Sequence, residues 1–196
     1  KHVMSVSLGS SKRNHKVEAD ILDQKFIIER VGTDGDMDKA IEIIKQNDGK
    51  VSAFGMGGID LYVYAGKKRY IIKDAAKIAK AAEVSPIVDG SGLKNTLERK
   101  VVKYLIEQKK VDFKGKKVLL ASGMDRFGMA EALEEAGCTL VLGDLIFALG
   151  IPIAIYSLKT LDIIARILAP IVCKFPFKML YPTGKSQEKG DNKNSR

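Results

Sequence analysis

The chain has no tryptophan, only two histidines and only two cysteines. Both histidines, His2 and His15, lie near the start, so a mechanism that needs a histidine downstream of a nucleophile has nothing to use. Cys138 and Cys173 stand far apart without a CxxC pair, which argues against a structural zinc site and against a disulfide scaffold. No metal site is expected. The opening residues, KHVMSVSLGSSKRNHK, lack the apolar core of a signal peptide, so the cytoplasm is the expected compartment. Negative charge is in short supply: 24 acidic residues face 33 basic ones, a net charge of +9. Six basic and two acidic residues fall between Lys174 and Arg196, so part of the excess is a basic tail. The remainder suits either a solvated surface or an anionic partner. No basic stripe interleaved with aromatics is present, and nucleic-acid binding is not expected.

Long uninterrupted apolar runs are also missing. Gly137–Leu158 is long enough to span a bilayer, but Asp144 and Pro152 interrupt it. It reads instead as a buried strand, a turn and a second buried segment. The apolar stretch 161–177, edged by Arg166, Lys174 and Lys178, has the composition of a surface that lies on a membrane or forms a homodimer face.

What is present is enough for a globular protein. Of the 196 residues, 45% are apolar and 29% charged, which permits one good core or two small lobes. Strand patterns appear at Met4–Leu8, Lys25–Val31, Val51–Phe54, Pro86–Val88, Lys117–Ala121 and Thr139–Gly143. Asp60–Tyr64 and Arg69–Ile72 read as a hairpin. Thr33–Asp36 offers caps for a helix that ends near Asp48-Gly49, and Asp74 for an alanine-rich helix to Glu83. Further helices are expected at about Leu93–Lys109, at Arg126–Ala136 and around Thr160–Cys173, the last broken by Pro170. Alternation of strand and helix predicts an α/β fold, Rossmann-like, with a mostly parallel sheet flanked by helices. The expected organisation is a substrate-type lobe over residues 1–92, a nucleotide-type lobe over 93–184 and a basic tail over 185–196.

Two stretches carry chemistry. Lys117–Asp144 reads strand, glycine-containing turn, helix, strand, acid. In such a unit the helix N-terminus faces a phosphate and the closing acid, Asp144, accepts from a ribose diol, favouring NAD. Gly123 and Gly128 flank the turn, and Arg126 offsets the charge of Asp125. The turn is not GxGxxG, because its middle glycine is missing. The other stretch, Val88–Thr96, follows a strand and opens a helix. Asp89 there suits a hydroxyl acceptor or general base, with Ser91, Lys94 and Asn95 in or beside the first helical turn. Helix capping by Asp89 or Ser91 is the competing explanation. The glycine cluster Gly55–Gly58 suits an anion nest or a tight crossing.

Asp89-Gly90-x-Gly92, the following helix, and Asp112–Leu120 leading into the strand–helix–strand unit resemble the central block of the shikimate/quinate dehydrogenase family. The stretches SVSLGSSKR, RVGTDGD, AFGMGGIDLY, PIVDGSGLKNTLER, DRFGMAEAL and GDLIFALGIP resemble a group of short bacterial proteins labelled quinate 5-dehydrogenase. The resemblance implies an NAD-dependent oxidoreductase acting on a cyclic polyol acid. It implies that Asp89 holds the reacting hydroxyl, that Gly123 and Gly128 lie in the cofactor loop, and that Ser10 and Ser11 hold the substrate carboxylate. The family's catalytic lysine has no matching motif here; Lys67, Lys68 and Lys73 are the candidates, with Lys73 preferred. The alternative is a non-catalytic ligand-binding or regulatory protein on a degenerate Rossmann-like fold.

Overall fold

The computed structural model describes residues 1–65 and 68–180. In chain order the elements are β1 (His2–Ser7), β2 (His15–Ile21), β3 (Gln24–Gly32), α1 (Met37–Asn47), β4 (Ala53–Gly57), β5 (Tyr62–Ala65), β6 (Lys68–Ile71), α2 (Lys73–Ala79), β7 (Ile87–Val88), α3 (Ser91–Glu107), β8 (Lys117–Leu120), α4 (Phe127–Glu135), β9 (Thr139–Leu142), α5 (Asp144–Leu149), α6 (Leu158–Val172) and α7 (Phe177–Leu180). The fold is mixed α/β. The chain divides into two compact units. One comprises Lys1–Leu61, Ile71–Gly90 and the segment that begins at Lys174; the other comprises Tyr62–Tyr70 and Ser91–Cys173. The expected tail, 185–196, and the turn lysine Lys67 lie outside the described residues.

The first unit is built on a five-stranded sheet of order β2-β3-β1-β4-β7. Strands β3, β1, β4 and β7 run parallel, and only the edge strand β2 is antiparallel. Register puts the carboxyl ends of these parallel strands at one edge: Ser7 pairs with Gly32 on one side and Gly57 on the other, and Val88 pairs with Gly55. Alternation in β1 buries Met4 and Val6, and Phe54, Ile44, Ile72 and Ile78 are likewise buried.

The edge strand β2 was not expected. It forms a hairpin with β3 through Leu22 and Asp23, both at positive φ. This turn geometry usually asks for Asn-Gly or Asp-Gly, so the sequence carries no hairpin signal there. Helix α1 starts as predicted, with the Asp36 side chain accepting from Lys39 N at 2.9 Å. Helix α2 does not. Its N-cap is Ile72, without a side-chain bond, and Asp74 sits inside the first turn. There the carboxylate of Asp74 accepts from Lys77 Nζ at 2.8 Å and from Phe177 N at 3.0 Å, and the Lys77 ammonium chiefly holds it below its ordinary value.

Asp48, just after α1, accepts from three backbone N–H groups: Glu83 at 2.7 Å, Val84 at 2.9 Å and Ser85 at 2.7 Å. These bonds, Ser85 first, lower its carboxyl from the ordinary 3.8 to about 2. A depressed carboxyl contributes stability that is complete above the unfolded value and lost as pH falls through the folded one. Asp48→Asn is therefore expected to lower the urea midpoint at pH 6 and to flatten the loss of stability between about pH 4 and pH 2. Parallel acid limbs in the two proteins would show that the clamp carries no such linkage.

In the second unit β8 and β9 form a two-stranded parallel sheet, and β5 and β6 a two-stranded sheet of their own. The core gathers Val102, Leu120, Phe127, Leu133, Leu142 and Leu161, among others. Helix α3 meets α4 with polar groups: Arg99 pairs with Glu131, and Arg126 with Glu98. Its exposed residues include Leu93, Leu97, Val101 and Tyr104.

The region after β9 departs from expectation. The second segment is not buried: α5 exposes Phe147 and Leu149, and of the extended run that follows only Ile155 is buried, bridging to Leu142. Nor does Pro170 break α6, which runs on to Val172. Proline removes one helical N–H bond, and the buried row Leu161, Ala165, Ala169 and Cys173 holds the helix on both sides of it. Among the described residues no helix is long and apolar enough to cross a membrane.

Candidate functional site

In open sheets of parallel strands, ligands bind beyond the carboxyl ends of the strands, where the order reverses direction. Here β1 lies between β3 and β4, so the reversal falls at β1. Four glycine-bearing loops leave this edge: Leu8–Asn14 after β1, Gly32–Asp36 after β3, Gly57–Leu61 after β4 and Asp89-Gly90 after β7. They interlock. Leu8 N donates to Gly57 O at 2.9 Å, Thr33 N to Ser7 O at 2.8 Å, and Asp34 N to Gly9 O at 3.0 Å. Glycine is required twice by close approach. A Cβ on Gly57 would stand 2.7 Å from Ser7 Cβ, and one on Gly32 would stand 2.4 Å from the Ser10 carbonyl oxygen.

The predicted residues of this edge are placed as follows. Ser10 is buried; its Oγ accepts from Lys12 N at 3.2 Å, capping a short 3-10 turn at Ser11–Arg13. Ser11 donates to Asp34 through its N–H at 2.8 Å and through its hydroxyl, and these bonds hold the Asp34 carboxyl below its ordinary value. Ser10 is thus engaged within its own loop and Ser11 with the loop after β3. Asp89 Oδ2 accepts from Leu61 N at 2.6 Å. Leu61 O in turn accepts from Ile72 N at 3.0 Å. These two bonds bring Asp89 and the start of α2, where Lys73 stands exposed, to either side of Leu61. Arg30 belongs to this edge too and carried no sequence signal. From β3 it donates to Ser10 O at 3.1 Å and to Ser7 Oγ at 3.0 Å, bracing the turn after β1.

The other predicted residues lie in the second unit. Ser91, Lys94, Asn95 and Gly128 line one small pocket with Tyr64, Asp125 and Phe127, with room for about one water molecule. Lys94 Nζ is paired with Asp125 there, at 2.7 and 3.0 Å. Gly128 lets α4 approach α3: a Cβ would stand 2.9 Å from Arg99 Nε and 3.0 Å from Asn95 Oδ1.

The turn after β8 was expected to face a pyrophosphate. Its free N–H groups face Asp144 instead. Gly123 N donates to Asp144 Oδ2 at 2.9 Å and Met124 N to Asp144 Oδ1 at 2.8 Å. The side chain of the first residue of α5 thus sits where a phosphate would sit, and as folded the turn offers neither N–H to a dinucleotide. Gly123 is explained by packing, since a Cβ would meet Leu142 Cδ2 at 2.8 Å. Arg126 is committed to Glu98. The residues present do not fit NAD in this conformation.

Neither cysteine is activated. Burial pushes both thiols up, and Cys138 donates to Phe113 O at 3.3 Å. Among the described residues no group of three His, Cys, Asp or Glu side chains is placed to hold a metal ion.

Comparison with known proteins gives two family matches. Residues 2–89 match a family described as domain of unknown function DUF8753, and residues 92–196 match one described as domain of unknown function DUF8754. The searches of curated proteins and of solved structures give no match. The second family covers more than half of the chain, and the protein belongs to the DUF8754 family.

Proposed function

We propose that this is a ligand-binding protein on a Rossmann-like frame, taking a small hydroxyl-rich acid at the carboxyl edge of the five-stranded sheet. The single observation that carries this reading is the convergence of four glycine-bearing loops at that edge, with Asp34, Asp60 and Asp89 on them. Carboxylates accept from ligand hydroxyls, and loop N–H groups donate to a ligand carboxylate. The stretches that resemble quinate 5-dehydrogenase in the first unit, at Ser5–Arg13, Arg30–Asp36, Ala53–Leu61 and Pro86–Asp89, all run into these loops.

A second reading, an NAD-dependent oxidoreductase on the same class of ligand, is favoured by the placement of Asp89 and Lys73 on either side of Leu61. Its cost is that Asp144 must release two N–H groups before the pyrophosphate can bind.

The test is thermal denaturation with quinate, with shikimate and with NAD, each alone and in pairs. The ligand-binding reading expects one polyol acid to raise the melting temperature, NAD to leave it unchanged, and Asp89→Asn to abolish the rise. Saturable NAD binding with turnover would establish the oxidoreductase instead. No response to either acid would overturn the ligand class.

A further inference from the structure

We propose that the outer edge of β2 pairs antiparallel with the same edge of a second copy of this chain, joining two five-stranded sheets into one continuous sheet. The two edges of the sheet differ. Strand β7, at one edge, has only two residues, too few to template another strand. Strand β2, at the other, has seven, and they pair with β3 from His15–Arg30 to Ile21–Gln24 without a bulge or a proline. Among the described residues no strand pairs with its outer side. All its residues but Ala19 are exposed. The two-residue turn sets which backbone groups are free. Ile21 and Gln24 close it as a hydrogen-bonded pair, and bonding to β3 then alternates through Ala19, Val17 and His15. The N–H and C=O groups of Lys16, Glu18 and Asp20 therefore point outward, a ladder that another strand completes.

Charge and register select a second copy as that strand. The hairpin 15–30 holds three basic and four acidic residues, in a chain whose net charge is +9. Two cationic copies can meet on such a patch without repulsion. With a twofold axis at Val17, Lys16 faces the partner's Glu18 and Glu18 faces the partner's Lys16, so both outward pairs are of opposite sign. Val17, 38% exposed, then faces the partner's Val17 in the non-hydrogen-bonded pair, where side chains stand closest. Neighbouring registers lack this match. An axis at Lys16 sets lysine against lysine, one at Glu18 sets glutamate against glutamate, and one at Ala19 sets Glu18 against the partner's Asp20. Lys16 Nζ lies 3.6 Å from Glu29 on β3, and with 58% of its side chain exposed it can bridge both carboxylates. The same register carries the partner's Leu22-Asp23 turn past Asn14, toward the loop after β1.

The test is sedimentation velocity of the full chain over a range of concentrations, beside Glu18→Pro, Lys16→Glu, and Lys16→Glu with Glu18→Lys. The native chain is expected to dimerise in the micromolar range. Glu18→Pro removes an outward N–H without touching the bonds to β3, and is expected to leave a monomer with unchanged far-UV circular dichroism. Lys16→Glu turns both cross-strand pairs repulsive and is expected to weaken the dimer about tenfold or more. Adding Glu18→Lys restores opposite signs in this register and is expected to restore the dimer. A native chain that stays monomeric, as it would if the edge served a strand of another protein, overturns the proposal. So does a dimer that Glu18→Pro leaves intact, or one that the charge reversal does not restore. If Glu18→Pro unfolds, the two charge variants still decide.

Discussion

Gly32→Ala is expected to destabilise the protein by about 3 kcal/mol, at the upper end of what overpacking costs. The contacts explain why. The new methyl group would meet the Ser10 carbonyl oxygen at 2.4 Å, the Ser10 carbonyl carbon at 2.7 Å and Ser11 N at 2.8 Å. All three are backbone atoms, so no rotamer change relieves the clash. Neither chain can recede easily. Gly32 is in register with Ser7, and its N–H donates to Asn14 Oδ1 at 2.6 Å. Thr33, the next residue, is 1% exposed and tied to Ser7 O. The strain therefore falls on the turn after β1, and ligand binding at that edge should weaken with stability. Gly92→Ala is the control. Its methyl group would meet nothing within 4 Å, at the first turn of α3, and alanine is expected to be neutral or to stabilise by up to about 1 kcal/mol. Urea midpoints of the two variants should move by very different amounts; equal small shifts would mean that the loop after β1 yields freely.

Asp144→Ala is the second large effect. The carboxylate closes the turn after β8 through two charge-assisted bonds, each of a kind worth roughly 1.5–3 kcal/mol. Removing both acceptors leaves two N–H groups of a partly buried turn to water alone, and a loss of about 2–4 kcal/mol is expected. Asp144→Asn keeps one acceptor oxygen and should lose less. The ligand response separates two roles for this residue. If Asp144 selected a ribose, the alanine variant would lose affinity for NAD that the native chain has. As a clamp, it leaves the native chain without measurable NAD affinity, and its removal uncovers the N–H groups for an anion. Calorimetry of native chain and variant against NAD and inorganic phosphate reads this directly.

Much of the framework was legible because the residues involved act locally. The strands β1, β3, β8 and β9 and the helices α1, α3 and α4 follow from period and from boundary residues such as Asp36 and Gly137. What misled depends on contacts between distant positions. The hairpin at Leu22-Asp23 uses a turn geometry that its residue types do not announce. Asp74 looked like a cap, but the chain had already turned at Ile72, leaving its carboxylate for Lys77 and Phe177. The turn after β8 shows the difficulty most clearly. Glycines 123 and 128 with an acid 21 residues after the first make a nucleotide-like pattern, and the strand–helix–strand unit does form. No spacing rule shows that the acid folds back onto the turn it follows, or that Gly128 serves the approach of α3. At the other edge the serine- and glycine-rich loops were visible singly. Their convergence follows only from the strand order, which places β1 between β3 and β4.

The most direct measurement is an amide NMR map of the native chain titrated with quinate, shikimate and NADH. The account predicts that a polyol acid shifts the amides of Gly9, Ser11, Gly58 and Gly90, and that NADH leaves Gly123 and Met124 where they are. Saturable shifts of Gly123 and Met124 on adding NADH, with the first-unit loops silent, would contradict it.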